Sequence, residues 1–491
     1  MNEIFLLLVV LIPFIGGVLI PLLPFSGRKS RLAFVEIVVI INSILVWMLL
    51  LNQPQGAFTL LKFTGNLSVS FHIDGLASIF AGLVATLWPL ATFYSFEYMK
   101  HEEHEEIFFM FYTITFGVTL GIAMSANILS MYFFYELLTL VTTPLVLHTL
   151  SREAILASRT YLYYSLGGAA FAFIGMIFVI VYGATPDFVY GGVLTADQYP
   201  GNLNVLLLIY VLAFMGFGVK AAICPFNSWL PKAGVAPTPV TALLHAVAVV
   251  KSGAFAIMRL TYYCFGVSFL KGTWAQYTVM AITIFTIVYG CSMAVKERHI
   301  KRRLAYSTIS NLSYILFGVT IMTPLGLVGA LAHMICHAVM KICSFFCAGA
   351  VMYKTGRSYV YELDGFGKRM PKTFTIFTIS SFALMGVPGL CGFISKFQLA
   401  NAAVESGEVL AYVGIAALLI SAILTAIYML SIVIRAFYPP QGFDEKKIQD
   451  VEDPNYVMIL PLIIFCIGML VLGLRPQPLL SLFEAVANGL L

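Results

Sequence analysis

Apolar runs of bilayer length limit what this chain can fold into. Fourteen of them follow one another, near residues 4–24, 32–51, 75–95, 107–124, 127–149, 160–183, 204–226, 238–262, 275–295, 304–322, 326–352, 373–403, 409–437 and 456–474. An α-helix needs about 20 apolar residues to cross the hydrocarbon core. With no water there to take up backbone N–H and C=O groups, the chain must satisfy them internally, as a helix or a closed barrel. The runs are continuous, with none of the alternation a membrane barrel shows. Composition agrees: 60% of the residues are hydrophobic and 10% are charged, against about 25% charged in ordinary soluble domains. A soluble enzyme, a nucleic-acid binder and a disordered chain are excluded. The expected class is an all-α polytopic membrane protein of about 14 transmembrane helices.

The first run lacks a basic stretch before it and an A-x-A-like site after it, so it reads as a retained span and not a cleaved signal. The eight cysteines form no CxxC pair. Cys343 and Cys347, one helical turn apart, read as small buried hydrophobes, and no metal site is expected. Nucleotide-binding loops and glycine fingerprints are absent from the sequence, so no cofactor is expected. The chain therefore draws on an ion gradient or on partner subunits.

Assigning the loops alternately to two sides puts twenty of the 28 basic residues on one side and only Lys62, Lys271 and Arg475 on the other. Short loops rich in Lys and Arg stay cytoplasmic. An even number of spans then predicts both termini outside a cytoplasmic (inner) membrane. The loop 296–303 is a topology signal first and a lipid-binding patch second. The acidic loop 97–106 reads as a solvated turn or a subunit contact, and His72 and Asp74 as interfacial groups.

The five remaining basic residues, Lys220, Lys251, Arg259, Lys341 and Lys396, fall inside predicted spans. Arg259 lies near a helix end, from which it is expected to snorkel. Glu136 alone among the acidic residues sits at a span centre; Glu36 is near enough to a terminus to reach headgroups. An ionisable group at bilayer depth costs at least about 2.5–3.5 kcal/mol and usually marks a pathway. Desolvation drives a lone carboxylate such as Glu136 toward its neutral form, and a nearby ammonium restores the charge. Lys220 is the expected partner. Lysine suits a switching pair because burial readily changes its protonation, whereas arginine stays charged.

His245 and Lys251 share one span, about 240° apart on an ideal helix. His333, His337 and Lys341 recur at i, i+4 and i+8, one polar stripe on an apolar helix. Histidine titrates near neutrality, so the stripe reads as the lining of a hydrated relay. No cluster of carboxylates suited to sodium is visible, and protons are the better-supported ion. Two spans carry breakers: Lys220-Ala-Ala-Ile-Cys-Pro225, predicting a break one turn after Lys220, and Met385-Gly-Val-Pro-Gly-Leu-Cys-Gly-Phe-Ile-Ser-Lys396. Proline removes a donor and frees carbonyls in the preceding turn. Paired interrupted spans in two halves of a chain point to a transport site.

The stretch Lys220 to Gly253, with Ala236-Pro-Thr-Pro239 and His245-Ala-Val-Ala-Val-Val-Lys251, resembles the signature of the antiporter-like subunits of respiratory complex I. The same superfamily includes Mrp-type cation/proton antiporter subunits and membrane arms of energy-converting hydrogenases. Phe134-Tyr-Glu136, His337-Ala-Val-Met-Lys341 and Phe393-Ile-Ser-Lys396 match its other motifs in order. The resemblance implies two inverted five-helix repeats, each with a broken helix: residues 107–262 (helices 4–8) and 263–437 (helices 9–13). Helices 1–3 (1–106) precede them, and helix 14 with a tail (438–491) follows. It also implies a coupling pair at Glu136 and Lys220, a central relay lysine at Lys251 beside His245, relay histidines at His333 and His337, and a terminal half-channel residue at Lys396. Some branches carry glutamate at this last position. The largest members continue into a lateral helix, whereas this chain ends at Leu491, which points to the D-type Mrp-like or short complex I-like branch.

Three readings follow. The first is a proton-translocating subunit of a redox-driven membrane complex, among other membrane subunits that include further antiporter-like ones. The second is a subunit of an Mrp-type Na⁺/H⁺ antiporter, with sodium carried in a partner. The third is a non-conducting structural subunit, against which the retained Glu136, Lys220, Lys251 and Lys396 weigh. Redox chemistry is not expected in the chain itself. The topology is tested by cysteine labelling from the cell exterior: Gly489→Cys labels and Ile300→Cys does not, and the reverse pattern inverts the assignment.

Overall fold

Each apolar run closes its own backbone hydrogen bonds as helix. In the computed structural model, which describes residues 3–54 and 56–490, the chain opens with α1 (Ile4–Leu22) and α2 (Arg28–Asn52). An antiparallel hairpin of β1 (Phe58–Lys62) and β2 (Ser68–Phe71) leads to α3 (Gly75–Tyr98), α4 (Glu105–Ala123), α5 (Ile128–Leu147), α6 (Arg152–Tyr182) and α7 (Leu203–Lys220). Next come α8 (Trp229–Lys232), α9 (Thr238–Ala246), α10 (Val249–Met258), α11 (Val267–Leu270), α12 (Trp274–Lys296), α13 (Ile300–Thr320) and α14 (Pro324–Thr355). The remainder is α15 (Phe366–Arg369), α16 (Pro371–Met385), α17 (Cys391–Ser406), α18 (Val409–Phe437), α19 (Tyr456–Leu474) and α20 (Gln477–Ala487). The outermost expected bounds, 1 and 491, lie outside the described residues.

The chain is an all-α polytopic membrane protein. Among the described residues, 12 helical segments are long and apolar enough to cross a membrane, α9 and α10 counting together as Thr238–Phe265. The other two apolar runs are helical but differ in kind. α13 carries Ser307, Thr308, Ser310, Asn311 and Ser313 on a buried surface, which dilutes its hydropathy. The run 373–403 is split into α16 and α17, of 15 and 16 residues, each too short to span alone. α20, an eleven-residue helix after the fourteenth run, packs against α14 and α3.

Burial places the centre. The Thr238–Phe265 stretch is wholly enclosed by protein and α14 nearly so, whereas two thirds of the apolar window of α2 faces outward. α14 touches α3, α9, α13, α16, α17, α19 and α20. Side chains on these central helices meet protein on every side, so polar groups there need not face lipid.

One contact at a helix end departs from expectation. Arg259 does not snorkel: its side chain is 1% exposed and forms a two-pronged pair with Asp74, Nη1 to Oδ2 at 2.5 Å and Nη2 to Oδ1 at 2.7 Å. Phe188, Tyr263 and Phe255 surround the guanidinium at 4.8, 4.5 and 5.2 Å. Asp74 also caps α3 by accepting from the Ala77 N–H at 2.8 Å. The pair ties the start of α3 to the end of the Thr238–Phe265 span. Burial alone would raise the Asp74 carboxyl; Arg259 more than offsets this and holds it below the ordinary value. Its stabilisation is therefore complete at neutral pH and lost as pH falls through that depressed value. Asp74→Asn leaves a buried cation unpaired, and we expect a loss of about 3–5 kcal/mol, read as a lower melting temperature of the purified protein; an unchanged melting temperature refutes the tie.

Candidate functional site

Helix ends and breaks set the site. α7 stops at Lys220 itself, a turn earlier than Pro225 predicts, and Ala222 turns the chain with a φ of +55°. Lys220 is fully buried; its ammonium donates to the Tyr135 carbonyl and lies 3.4 Å from the centre of the Tyr135 ring. Glu136, the next residue of α5, places Oε1 3.9 Å from the Lys220 Nζ. The Tyr135 hydroxyl donates in turn to the Phe217 carbonyl at 3.1 Å, fastening α5 to α7. The expected Glu136–Lys220 pair is present.

Between His245 and Lys251 the helix breaks at Val247 and Ala248, whose N–H groups both donate to the Leu243 carbonyl, at 3.1 and 2.9 Å. This break was not anticipated, and the 240° separation of a continuous helix does not apply. It follows from packing: a Cβ on Gly253 would meet the Ala221 nitrogen at 2.6 Å and the Phe217 carbonyl at 3.0 Å, so α10 lies hard against the end of α7. Only glycine permits that approach.

From Lys251 a string of side chains crosses three helices. Lys251 hydrogen-bonds Nδ1 of His337 on α14. The rings of His337 and His333 stack with centres 5.8 Å apart. Nδ1 of His333 shares a 2.9 Å hydrogen bond with the Ser395 hydroxyl of α17. The next residue, Lys396, donates to the Leu384 and Met385 carbonyls at 2.7 and 3.0 Å, the carbonyls that the break after α16 leaves free. Tyr314 bridges this end, its ring centre 5.0 Å from that of His333 and 5.4 Å from the Lys396 Nζ.

Lys341 departs from the stripe it was expected to complete. Its ammonium turns to α13, donating to the Leu304 carbonyl at 3.1 Å and the Ser307 hydroxyl at 2.7 Å, and Ser307 shares a 2.6 Å hydrogen bond with the Tyr428 hydroxyl. His245 is fully buried beside Phe345, ring centres 5.0 Å apart, and neither ring nitrogen has a partner among the described residues. Lys341, Lys301 and Lys251 are all close enough to act on it electrostatically. Among the described residues no side-chain hydrogen bond joins Lys220 to Lys251.

The sequence did not single out Tyr135, Tyr314, Ser395, Ser307 or Tyr428, the neutral groups that hold the lysines and histidines. Lys301, read as part of a loop, is 4% exposed and donates to the Ala236 carbonyl at 2.8 Å. Its signal was present: Lys301, Leu304 and Thr308 share one helical face. The acidic loop is not simply solvated either, since Glu105 is buried between Arg28 and Arg31 at 2.5 and 2.7 Å. No group of three or more metal-ligating side chains occurs among the described residues.

Two protein families match the chain. The one described as "NADH:quinone oxidoreductase/Mrp antiporter, TM" covers residues 125–425, and "NADH-Ubiquinone oxidoreductase (complex I), chain 5 N-terminus" covers 62–109. Among curated relatives, subunit N of the F(420)H(2) dehydrogenase of Methanosarcina mazei is 30% identical over 84% of this chain and 84% of its own. Chain 4 of the chloroplastic NAD(P)H-quinone oxidoreductase of Adiantum capillus-veneris is 28% identical over 98% of this chain and 97% of its own. A chain in the structure of a membrane-bound sulfane sulfur reductase, an archaeal respiratory membrane complex, superposes with a TM-score of 0.87 over 100% of this chain and 98% of its own, at 21% identity.

Proposed function

We infer the function from one premise: the chain belongs to the NADH:quinone oxidoreductase/Mrp antiporter transmembrane family. It is a proton-translocating, antiporter-like subunit of a redox-driven multisubunit membrane complex, and other membrane subunits are its partners. The observation that carries this reading is the string Lys251–His337–His333–Ser395 with Lys396 beside it, whose first three members lie on helices that protein encloses on nearly every side.

The chemistry is proton exchange between groups that each have two accessible states. Imidazole takes a proton on one nitrogen and releases it from the other. Lysine alternates between ammonium and amine once desolvation penalises the charge. Glu136 and Lys220 act as the coupling pair. While they are together the ammonium is compensated; drawn apart, it is an uncompensated charge at bilayer depth and sheds its proton. Lys396, on the carbonyls of the broken helix, serves as the terminal group. Lys341 branches from the string toward α13, and His245 lies beside Phe345 of α14.

The inverted repeats are proposed at residues 107–262 and 263–437, with helices 1–3 before them and helix 14 after. The proposed location is the inner membrane, with both termini outside. A second reading, a subunit of an Mrp-type Na⁺/H⁺ antiporter, is favoured by the matching family's inclusion of both classes. Sodium-dependent transport without a redox substrate selects it.

Two expectations test the relay. Glu136→Gln lowers coupled transport by about tenfold or more while the complex still assembles, in line with loss of one acid–base group; wild-type transport removes Glu136 from the mechanism. Lys396→Arg keeps the charge but not the exchange, so it impairs translocation nearly as much as Lys396→Ala, while Lys396→Glu keeps part of it. Proton uptake in vesicles, with assembly followed by blotting, reads all three. Full activity of the arginine variant makes Lys396 a fixed charge.

A further inference from the structure

Glu36 lies well away from the string just described, and the relay does not use it. It sits eight residues into α2, about 12 Å along the helix axis from its start. One side of α2 is open, with Ile37, Ile40, Ile41 and Ile44 each at least 42% exposed. The other buries Val35, Val39, Asn42, Ser43 and Val46 against the rest of the protein. Glu36 stands at the border, half-buried, and its Oε2 is enclosed with no hydrogen-bond partner among the described residues.

Among the described residues Glu36 forms no ion pair. The two arginines at the start of α2 pair with Glu105, Arg28 also donates to the Phe96 carbonyl at 2.5 Å, and Arg31 keeps a buried Nε without a partner. α1 carries no titratable side chain. On α3, Tyr94 and Glu97 turn to α14, bonding the Phe346 carbonyl and the Tyr353 hydroxyl at 2.8 and 2.9 Å. From α4, Tyr112 is within electrostatic reach of Glu36 and stacks near Trp88, ring centres 5.5 Å apart. An ionised carboxylate without a countercharge is the costliest state this position could hold.

The surroundings are polar nonetheless. The indole N–H of Trp88, the Thr113 hydroxyl, both amide atoms of Asn42 and the Ser43 hydroxyl are all buried and have no partner among the described residues. They lie on α2, α3 and α4, which pack against one another. Buried polar groups require partners, and water is the partner that suits a row of small donors and acceptors. Ser43, seven residues on, lies about 10 Å farther along α2 than Glu36 and on the same helical face, so the row extends inward from the carboxyl.

We propose that Glu36 is a proton-binding site: its carboxyl exchanges a proton through a water-lined seam between α2, α3 and α4, which runs from the Arg28–Glu105–Arg31 cluster past Glu36 to Ser43. The site is separate from the Lys251–His337–His333 string. Its test does not require that string to conduct.

A neutral carboxylic acid within lipid reach adds to dicyclohexylcarbodiimide: the acid proton moves to a carbodiimide nitrogen, the carboxyl oxygen bonds to the central carbon, and nothing leaves. The assembled complex in its membrane is treated with this lipid-soluble reagent or with a water-soluble carbodiimide, and adducts are located by peptide mass spectrometry. We expect the lipid-soluble reagent to modify Glu36, with a yield that falls as pH rises, while the water-soluble one serves as a control by modifying exposed Glu103. Glu36→Gln, assembled normally, loses the adduct. Water access is read separately: Ser43→Cys reacts with a charged methanethiosulfonate and Ile44→Cys, on the lipid side, does not. No Glu36 adduct at any tolerated pH or an unreactive Ser43→Cys overturns the proposal, as does equal reaction of Ile44→Cys.

Discussion

The structure turns on how a charged side chain is compensated where neither water nor a full set of countercharges is available. At bilayer depth an ammonium must find oxygen atoms within the protein or give up its proton. Here Lys251 finds His337, and four other buried lysines find backbone. Lys220 takes the Tyr135 carbonyl, Lys341 that of Leu304, Lys301 that of Ala236, and Lys396 those of Leu384 and Met385. Among these lysines only Lys220 pairs with a carboxylate within 4 Å among the described residues, while Glu102 acts on Lys301 from farther off. A carbonyl dipole holds either an ammonium or an amine, whereas an ion pair commits the charge. A chain of lysines on carbonyls is therefore free to exchange protons.

That requirement explains the irregular segments. A continuous helix has wholly unused carbonyls only in its last turn; Lys220 and Lys341 share carbonyls inside α5 and α13, whereas Lys396 takes carbonyls that a helix end frees. The break after α16 supplies two carbonyls to Lys396, and the one after Ala246 lets α10 start afresh against α7 with Lys251 aimed at α14. The burial pattern is a consequence. Helices bearing protonatable groups occupy the centre, and all-apolar faces, such as the isoleucine face of α2, turn outward. Mutual repulsion among the basic groups then limits how many carry charge at once, which couples each protonation to its neighbours.

Much of this was legible in the sequence, for physical reasons. Bilayer length and loop charge fix the number of runs, and the cost of intramembrane charge singles out Glu136, Lys220, Lys251, His333, His337 and Lys396. The chain signals the break at Pro388–Gly389 through its own backbone chemistry. What the sequence hid depends on tertiary contact. The break at Val247–Ala248 lies in a run of alanines and valines with no breaker, and arises because Gly253 lets α10 close on α7. The turn of Lys341 toward Ser307, the pairing of Arg259 with Asp74, and the burial of Lys301 and Glu36 all depend on which neighbour each helix face meets. Periodicity identifies a face but not its partner.

The central claim is that the buried lysines exchange protons and are not fixed charges, and Lys251 tests it most directly because it heads the string into His337. Lys251→Arg retains a cation and a donor but does not deprotonate at working pH. Proton uptake by vesicles containing the native complex, normalised to assembled protein, should fall by about tenfold or more in this variant. Uptake at the wild-type rate would show that the axis carries static charge, and would contradict the account.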